Sequence, residues 1–344
     1  MKQWLRKNWL ISLSLLIGIL ASLFIYLNIP YEEAVDTIQR LDFAALTYFL
    51  LVVLIIQLIL TYRWLVVIRT QDDDVNFFRL ILYRLAGYAV SFLTPSAKMG
   101  GEPVRATILS QKERRDFDKS MSSVVIDKTI ELSASGLFFM IGVIFLLFQG
   151  WLTQRVRIAA IIAGFIFTFL IIAFNYRVLN GKPFFHPIFD FLAFENKYVK
   201  KAVNKIEELE HMVIEFYCEE KKAFYYSLFL SLLSWFFMFI EFWLAALVVG
   251  VNLSILEIFL VFSFVGLSYL FPIPMALGAL EAGQISIFKL FGLSSAAAIG
   301  LAIIVRIKDV ILSIIGIGAM VKYGYDVKEM ISKSKELKDE NMDE

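Results

Sequence analysis

Residues 87–109 read Gly87-Tyr-Ala-Val-Ser-Phe-Leu-Thr-Pro-Ser-Ala-Lys-Met-Gly-Gly-Glu-Pro-Val-Arg-Ala-Thr-Ile-Leu109, and the interpretation of the whole chain follows from them. This stretch begins as an apolar helix, breaks at Thr94-Pro95, turns through Gly100-Gly101 and starts a second helix at Glu102-Pro103. An apolar helix that breaks at membrane depth is tolerated only where it lines a cavity enclosed by protein or filled with water. Interrupted segments of this kind mark the binding sites of transporters. The stretch therefore predicts a re-entrant hairpin, with an ordinary cytoplasmic loop as the alternative.

The composition is typical of a polytopic membrane protein. Of the 344 residues, 59% are hydrophobic and 19% are charged, and the mean hydropathy of +0.72 is far above that of soluble proteins. The net charge of +1, without a basic tract that includes aromatic residues, gives no indication of nucleic-acid binding. One cysteine, Cys218, excludes an intramolecular disulfide framework, and His186 and His211 are too few for a Cys/His metal site. We therefore expect no metal and no cofactor.

Apolar segments divide the chain into about six full spans and two broken segments. A basic N-terminus precedes an apolar stretch from Leu10 to Ile29 without a visible cleavage site, which indicates an uncleaved first span with the N-terminus inside. The other full spans are predicted at about Phe43–Ile68, Met121–Phe148, Ile158–Phe174, Phe224–Val249 and Ser295–Met320. An amphipathic helix over about 196–220 is expected on the cytoplasmic surface. Residues 1–322 then form one transmembrane domain, and 323–344 form a charged cytoplasmic tail.

Charged residues occur at membrane depth in two of these spans. In the span that starts at Met121, Asp127 lies about 9 Å and Glu131 about 15 Å along the helix, at about 1.5 Å per residue. Lys128 can pair with Glu131 at i,i+3. Each such charge costs about 2.5–3.5 kcal/mol at the centre of a bilayer, so a position facing lipid is disfavoured. Either a structural ion pair or a substrate pathway explains these residues. The last span adds Arg306, Lys308 and Asp309.

The two broken segments correspond to each other at a single, constant offset along the chain. The second is Leu256–Leu290, interrupted by Phe271-Pro-Ile-Pro-Met-Ala-Leu-Gly-Ala-Leu-Glu-Ala-Gly283. The matching pairs are Trp64 and Trp243, Gly87 and Gly266, Phe92 and Phe271, Pro95 and Pro274, and Glu102 and Glu281, with Asp127 opposite Arg306. We interpret this correspondence as an internal repeat of about residues 43–148 and 222–321.

The distribution of charge predicts how the two repeats are oriented. Lysine and arginine residues surround the first broken segment and place it on the cytoplasmic side. Six spans return the lysine-rich C-terminus to that side only if both broken segments are re-entrant hairpins. The fold class predicted is therefore an all-α polytopic protein of the plasma membrane, with cytoplasmic termini and an inverted repeat whose site lies at the repeat interface. Arg306, about 15 Å deep, is predicted to pair with Glu131 across this interface.

The chain resembles the flippase-like family typified by the lysylphosphatidylglycerol synthase transmembrane region. The resemblance covers roughly Leu10 to Met320, and its motifs are Thr94-Pro95 … Gly100-Gly101-Glu102-Pro103-Val104-Arg105-Ala106 and Pro272-Ile273-Pro274 … Gly278-Ala279-Leu280-Glu281. Met275-Ala276 stands where the family has Gly-Gly, which implies a stiffer second loop. The soluble aminoacyl transferase of the two-domain members is missing. The resemblance thus implies a stand-alone translocase that moves a lipid, or a lipid-linked head group, between leaflets.

The first hairpin has the chemistry to bind an anionic head group. Arg105 follows Gly100-Gly101 near a helix N-terminus, where free N–H groups favour phosphate and arginine can donate two bonds to it. Glu102 either orients Arg105 at i,i+3 or completes a helix cap. The small residues Gly100, Gly101, Gly278 and Gly283 would permit close approach and movement. The predicted substrate-binding residues are Thr94, Pro95, Lys98, Gly100, Gly101, Glu102, Arg105, Lys128, Pro274, Gly278, Glu281 and Arg306. The predicted intramembrane charge network is Asp127, Glu131, Lys308 and Asp309.

Three classes of function fit this sequence. The leading hypothesis is a translocase for an anionic phospholipid or a polyprenyl-phosphate-linked lipid, with membrane lipids as partners and with either self-association or an enzyme that supplies the lipid. The second is an intramembrane enzyme that uses Asp127 and Glu131, or Glu102 and Glu281, as acid and base on a lipid-linked phosphate. No histidine or cysteine nucleophile and no HExxH motif supports an enzyme. The third is an ion-coupled transporter of a small solute, which the buried acids suit equally.

Overall fold

The computed structural model describes residues 41–71, 74–94, 100–147, 154–184, 186–187, 197–269, 271 and 273–323. Within these ranges the regular secondary structure is entirely helical. The predicted first span from Leu10 to Ile29, the hairpin residues Pro95 and Lys98, Pro272 of the second motif, and all of the predicted tail except Tyr323 lie outside the described residues.

Ten α-helices, numbered here in chain order, form the described part of the molecule. They are α1 Phe43–Arg69, α2 Phe77–Leu93, α3 Glu102–Glu113, α4 Phe117–Leu147, α5 Gln154–Leu179, α6 Lys197–Glu219, α7 Lys221–Val248, α8 Ile255–Ser268, α9 Ala279–Leu290 and α10 Ser295–Lys322. A short 3-10 helix, Pro274–Ala276, lies between α8 and α9. Each broken segment is thus a pair of short helices, α2–α3 and α8–α9, and the amphipathic helix predicted at about 196–220 corresponds to α6.

Local sequence explains where several of these helices begin. The Asp42 carboxylate accepts hydrogen bonds from the backbone N–H groups of Ala44 and Ala45 at the start of α1, at 2.8 and 3.0 Å. Asn76 caps α2 and Ser294 caps α10 in the same way. Such side chains satisfy backbone donors that the first turn leaves without a partner. These three helices therefore start at defined residues.

Burial is distributed as expected for a protein with apolar surroundings. On α1, Leu54 is 56% exposed whereas the guanidinium-bearing Arg63 is 1% exposed, and on α5 Phe165 is 68% exposed. By length and composition, α1 and α7 could each cross a membrane. Large apolar side chains on the outside and charged side chains inside reverse the usual soluble arrangement. The chain is therefore built to contact lipid along its helices.

The order of helices in the first half recurs in the second. Four helices of the first half start at Phe43, Phe77, Glu102 and Phe117, and their counterparts start at Lys221, Ile255, Ala279 and Ser295. The spacing between counterparts is nearly constant and close to the spacing between Trp64 and Trp243. The most extensive helix contacts join the two halves, between α1 and α7 and between α2 and α10.

The second of these contacts is unusually close. A Cβ added to Gly316 of α10 would lie 2.1 Å from the backbone oxygen of Leu85 on α2, so the two backbones approach each other directly there. A larger residue than glycine would push the helices apart. Next to this contact, residues of α2, α3, α8 and α10 line a central space.

Candidate functional site

The central space is a cavity of about 290 Å³ between the two halves. Helices α1, α2 and α4 and the beginning of α3 line one side, and α7, α8 and α10 line the other. Its charged lining residues are Arg84, Glu102, Arg105, Lys128, Glu131, Glu241 and Lys308. Of the predicted substrate-binding residues, the cavity brings together Gly101, Glu102, Arg105 and Lys128, all from the first half.

Asp127 connects the charges on the first side of the cavity. Its Oδ1 accepts a hydrogen bond from Nε of Arg63 at 2.7 Å, and its Oδ2 accepts one from Nη2 of Arg105 at 2.8 Å. Arg63 also donates to Glu131 at 3.2 Å and to Ser231 of α7 at 2.7 Å. A buried carboxylate is tolerated when charged donors satisfy it in this way. The sequence analysis did not identify Arg63 as part of this network.

Arg105 is fixed by an aromatic ring as well as by Asp127. Its guanidinium carbon lies 4.1 Å from the centroid of the Trp64 ring, a cation–π geometry. The Trp64 indole in turn donates to Oγ of Ser123 at 3.2 Å. Nε of Arg105 is buried and has no hydrogen-bond partner among the described residues. The side chain is therefore held in place and still retains a free donor.

Two glycines let the limbs of the first hairpin touch. A Cβ added to Gly101 would lie 1.9 Å from the backbone oxygen of Gly87, and one added to Gly87 would lie 2.4 Å from Cγ of Arg105. The N–H of Gly101 donates to Oγ of Ser91 at 2.8 Å. Gly101 has φ −94°, a value open to any residue. The predicted importance of this glycine therefore lies in close approach of the two limbs.

Lys128 forms the i,i+3 ion pair with Glu131 that the sequence predicted, with Nζ and Oε1 3.3 Å apart. The same ammonium lies 3.9 Å from Oε1 of Glu102 at the start of α3. Glu102 therefore contacts Lys128 of α4, and neither of the roles predicted for it, orientation of Arg105 or helix capping, is seen in these contacts. Lys128 is thus shared between two carboxylates at the edge of the cavity.

Arg84 is the cation of the cavity with the weakest partners. Its Nε donates to Oγ1 of Thr61 at 3.1 Å, and its Nη2 donates to the side-chain oxygen of Gln57. Both partners are neutral, and the described residues place no carboxylate within ion-pair distance of it. Arg84 was missed in the sequence, although a charged residue in an apolar segment is the same signal that identified Asp127.

The second side of the cavity carries a cluster of opposite character. Nζ of Lys308 lies 2.6 Å from Oε1 of Glu241 and 3.2 Å from Oδ1 of Asp309. The Tyr88 hydroxyl donates to Oδ1 of Asp309 at 2.6 Å, and the Tyr269 hydroxyl donates to Oδ2. Because Tyr88 belongs to α2, this cluster ties the two halves together. Lys308 and Asp309 were predicted members of the charge network, whereas Glu241 and the tyrosines were not.

The remaining predicted residues lie away from the main cavity. Arg306 pairs with Glu281, and it also donates to the backbone oxygen of Met275 at 3.3 Å. The Glu281 carboxylate accepts a hydrogen bond from the backbone N–H of Gly278 at 2.9 Å. Thr94 donates to the backbone oxygen of Val90 at 2.7 Å. Of the predicted substrate-binding residues that the structure describes, those that do not line the cavity are Thr94, Gly100, Pro274, Gly278, Glu281 and Arg306.

The predicted pair of Glu131 with Arg306 is therefore wrong for this structure. Glu131 pairs with Arg63 and Lys128, and Arg306 pairs with Glu281. The physical reason is proximity within each half, since α9 begins beside the middle of α10 and offers Arg306 a carboxylate there. Glu131 and Arg306 were predicted to lie at equal depth on two helices, but residues at equal depth can point in different directions. Among the described residues, no group of three histidine, cysteine or carboxylate side chains is arranged to hold a metal ion.

Comparison with known proteins adds independent information. The profile of a family described as "Lysylphosphatidylglycerol synthase TM region" matches residues 11–316. A UPF0104 membrane protein of Methanothermobacter thermautotrophicus is 24% identical over 339 residues, which cover 93% of this chain and 97% of the relative. UPF0104 membrane proteins of Methanocaldococcus jannaschii and Pyrococcus horikoshii are 26% and 22% identical, over 82% and 86% of this chain and 84% and 91% of theirs. The similarity thus extends over nearly the whole length of these relatives.

Proposed function

The chain belongs to the lysylphosphatidylglycerol synthase TM region family of membrane proteins, and we propose that it moves an anionic lipid between the two leaflets of a membrane. The lipid is a phospholipid or a polyprenyl-phosphate-linked lipid. One observation carries the proposal: the first half lines the cavity with the cations Arg84, Arg105 and Lys128, which outnumber its acids Glu102 and Glu131. An excess of positive charge inside apolar surroundings would compensate the charge of a phosphate head group at membrane depth.

The three cations differ in how readily each would bind phosphate. Among the described residues, Arg84 has only neutral hydrogen-bond partners, and the buried Nε of Arg105 has no partner. Arginine matches phosphate with two parallel bonds, whereas Lys128 acts as a point charge beside them. The phosphate would add to Arg84 and Arg105 without displacing Asp127 from its two arginines. The site is in this sense organised before the lipid arrives.

The dimensions of the cavity favour a head group over a complete lipid. A volume of about 290 Å³ is at the lower end of the ligand cavities found in proteins, which span about 300–1,000 Å³. The helices outside it present exposed apolar side chains such as Leu54 and Phe165. The acyl or polyprenyl chains would therefore remain in contact with the bilayer while the head group occupies the cavity.

We further propose the membrane arrangement that would let this cavity serve both leaflets. In it α2–α3 and α8–α9 are re-entrant hairpins that enter from opposite faces, and the two halves are an inverted repeat. Support comes from the nearly constant spacing of the recurring helix starts and from the position of the cavity between the halves. Both termini would lie in the cytoplasm of a cell whose plasma membrane contains the protein. Association with itself or with a lipid-supplying enzyme is part of the same hypothesis.

A reconstitution experiment tests the proposal. Liposomes containing the protein should expose a fluorescent anionic phospholipid, or a labelled polyprenyl phosphate, to a quencher on one side faster than empty liposomes. Arg105→Ala and Arg84→Gln should slow this exposure by about tenfold or more, since each loss of a charged hydrogen bond costs about 1.5–3 kcal/mol. Arg79→Gln is the matched control, because Arg79 lies on the same helix as Arg84 and is 57% exposed in its side chain.

The outcomes of this experiment separate the three classes of function. Faster exposure that depends on Arg84 and Arg105 supports the translocase. No acceleration with any anionic lipid would refute it. Chemical conversion of the lipid phosphate would instead favour the intramembrane enzyme, although Asp127 and Glu131 are each engaged by Arg63 in the structure. Uptake of a soluble solute, without movement of lipid, would favour the small-solute transporter.

A further inference from the structure

The charges in and around the cavity balance overall and are divided unevenly between the two halves of the chain. Among the described residues, the cations are Arg63, Arg84, Arg105, Lys128 and Lys308, and the acids are Glu102, Asp127, Glu131, Glu241 and Asp309. The first half contributes four cations and three acids, and the second half contributes one cation and two acids. The surplus positive charge is Arg84, and the surplus negative charge lies on the pair formed by Glu241 and Asp309.

An anion that binds at Arg84 would leave the cavity and its surroundings with a net charge of minus one. The charges from the first half and the bound anion would then sum to zero, and the excess negative charge from the second half would remain buried without compensation. An uncompensated charge at membrane depth and the protonation of an ordinary carboxyl at neutral pH have costs of the same order. Uptake of one proton by the acidic pair is therefore the simplest way in which the occupied cavity can stay neutral.

We propose that Glu241 binds one proton when an anionic head group binds in the cavity, so that proton and lipid anion are carried together. This inference rests on the proposed function. The proton comes from water and adds to the Glu241 carboxylate, and no other bond is made or broken. The result is a coupling between pH and lipid binding within the same site.

The contacts indicate which of the two carboxylates accepts the proton. Asp309 accepts hydrogen bonds from Tyr88 and Tyr269 in addition to its ion pair with Lys308, and such donors stabilise the charged form of an acid. Glu241 lines the cavity, and its ion pair with Lys308 is the contact that the structure gives it. The charged and titratable groups that line the cavity with Glu241, or that pair with its lining residues, are Arg63, Arg84, Tyr88, Glu102, Arg105, Asp127, Lys128, Glu131, Tyr269, Lys308 and Asp309.

Coupling of this kind is reciprocal, because a proton that strengthens lipid binding must itself bind more strongly when the lipid is present. A difference in pH across the membrane would then bias the direction of lipid movement. The described charges are sufficient for such a mechanism without a nucleotide.

The test measures the binding of short-chain phosphatidylglycerol to the purified protein between about pH 5.5 and 8.5. Its phosphodiester keeps a single charge over this range, so a pH effect must come from the protein. If one proton binds with the lipid, Kd should fall by up to about tenfold for each unit of decreasing pH. A pH-indicator dye should report uptake of about one proton per lipid bound by the native protein.

Two variants locate the proton. Glu241→Gln should make Kd independent of pH and abolish proton uptake. Glu257→Gln removes a carboxylate that contacts Ser254 at the start of α8 and should leave both responses unchanged. Lipid binding that is independent of pH in the native protein would overturn the coupling alone, and so would a full pH response in Glu241→Gln. Absence of lipid binding at every pH would overturn the proposed function as well. The proton measurement on the native protein decides the question if Glu241→Gln does not fold.

Discussion

Each of the two hairpins is joined to the following long helix by an ion pair, and the signs of the two partners are reversed between the halves. In the first half Arg105 of the hairpin pairs with Asp127 of α4, whereas in the second half Glu281 of the hairpin pairs with Arg306 of α10. Asp127 and Arg306 occupy matching positions at the offset that relates the two halves. Each half thus uses one ion pair, called here the hairpin ion pair, to hold a hairpin to the following long helix. Only the first arrangement presents a cation to the cavity.

The two hairpins also differ in the residues and the backbone conformation next to their turns. The first uses Gly101 for close contact with Gly87, and both glycines line the cavity. The second has Met275 and Ala276 in the left-handed region, at φ 58° and 49°, where side chains are disfavoured. Arg306 contacts this strained turn through the backbone oxygen of Met275. The first hairpin thus has close contact between limbs that line the cavity, whereas the second has a strained turn that Arg306 contacts.

The largest expected effect comes from breaking the first hairpin ion pair. Asp127→Ala would leave Arg63 and Arg105 buried without their shared carboxylate, and loss of one partner of a buried pair costs about 3–5 kcal/mol. Thermal unfolding of the protein in detergent should therefore show a large drop in stability. Arg306→Gln should cost a similar amount, because Glu281 is fully buried.

The control for this prediction is Asp74→Ala. Asp74 pairs with Arg69 at the surface, where its side chain is 79% exposed, so its removal should change stability by less than about 1 kcal/mol. Equal effects of Asp127→Ala and Asp74→Ala would contradict the importance assigned to the buried pair.

A smaller effect is expected from the matching glycines Gly87 and Gly266. A Cβ at Gly87 would overlap Arg105 and the backbone of Gly101, and overpacking of this kind costs about 1–3 kcal/mol. A Cβ at Gly266 would meet no atom within 4 Å. Gly266→Ala should therefore be neutral, or stabilising by up to about 1 kcal/mol through helix propensity.

Thermal unfolding of the two alanine variants measures this difference between the hairpins. Lipid movement should slow in Gly87→Ala as well, because the substitution displaces the Arg105 side chain. If both variants unfold at the temperature of the native protein, the close contact between the limbs of the first hairpin is not important for stability.

The smallest effect concerns the matching tryptophans Trp64 and Trp243. Trp64→Phe loses the hydrogen bond to Ser123 and weakens the cation–π contact with Arg105, a loss of about 1–2 kcal/mol. Trp243 is 40% exposed, so Trp243→Phe should change stability by no more than about 0.5 kcal/mol. Chemical unfolding of both variants compares the two sites directly, and a larger loss in Trp243→Phe would reverse the assignment of roles.

The sequence identified the helices and most of the charged residues in and around the cavity because both leave strong signals. Breaks at proline and glycine separated α2 from α3 and α8 from α9, and charges in apolar segments pointed to Asp127 and Lys308. Distance along a helix gives depth, yet it does not give the direction in which a side chain points. For this reason Glu131 was assigned the wrong partner.

Other parts of the site depend on contacts that no single segment contains. The sequence around Arg63 gives no sign of its burial, and only the packing of α4 and α7 against α1 shows that it is buried. Tyr88 and Tyr269 give no signal in the sequence, because tyrosine is common in membrane helices and only Asp309 makes them part of a cluster. The matching tryptophans Trp64 and Trp243 likewise occupy different environments, although the constant offset in the sequence pairs them.

The opposite charges of Asp127 and Arg306 also bear on how such a molecule can be encoded. In a symmetric dimer of identical chains every substitution appears twice, so an acid at one position has an acid at its symmetry mate. A chain that contains both halves is free of this constraint, and each half can acquire its own charge by a separate mutation. The division of labour between the two hairpins is therefore available to one continuous polypeptide and unavailable to a homodimer of either half.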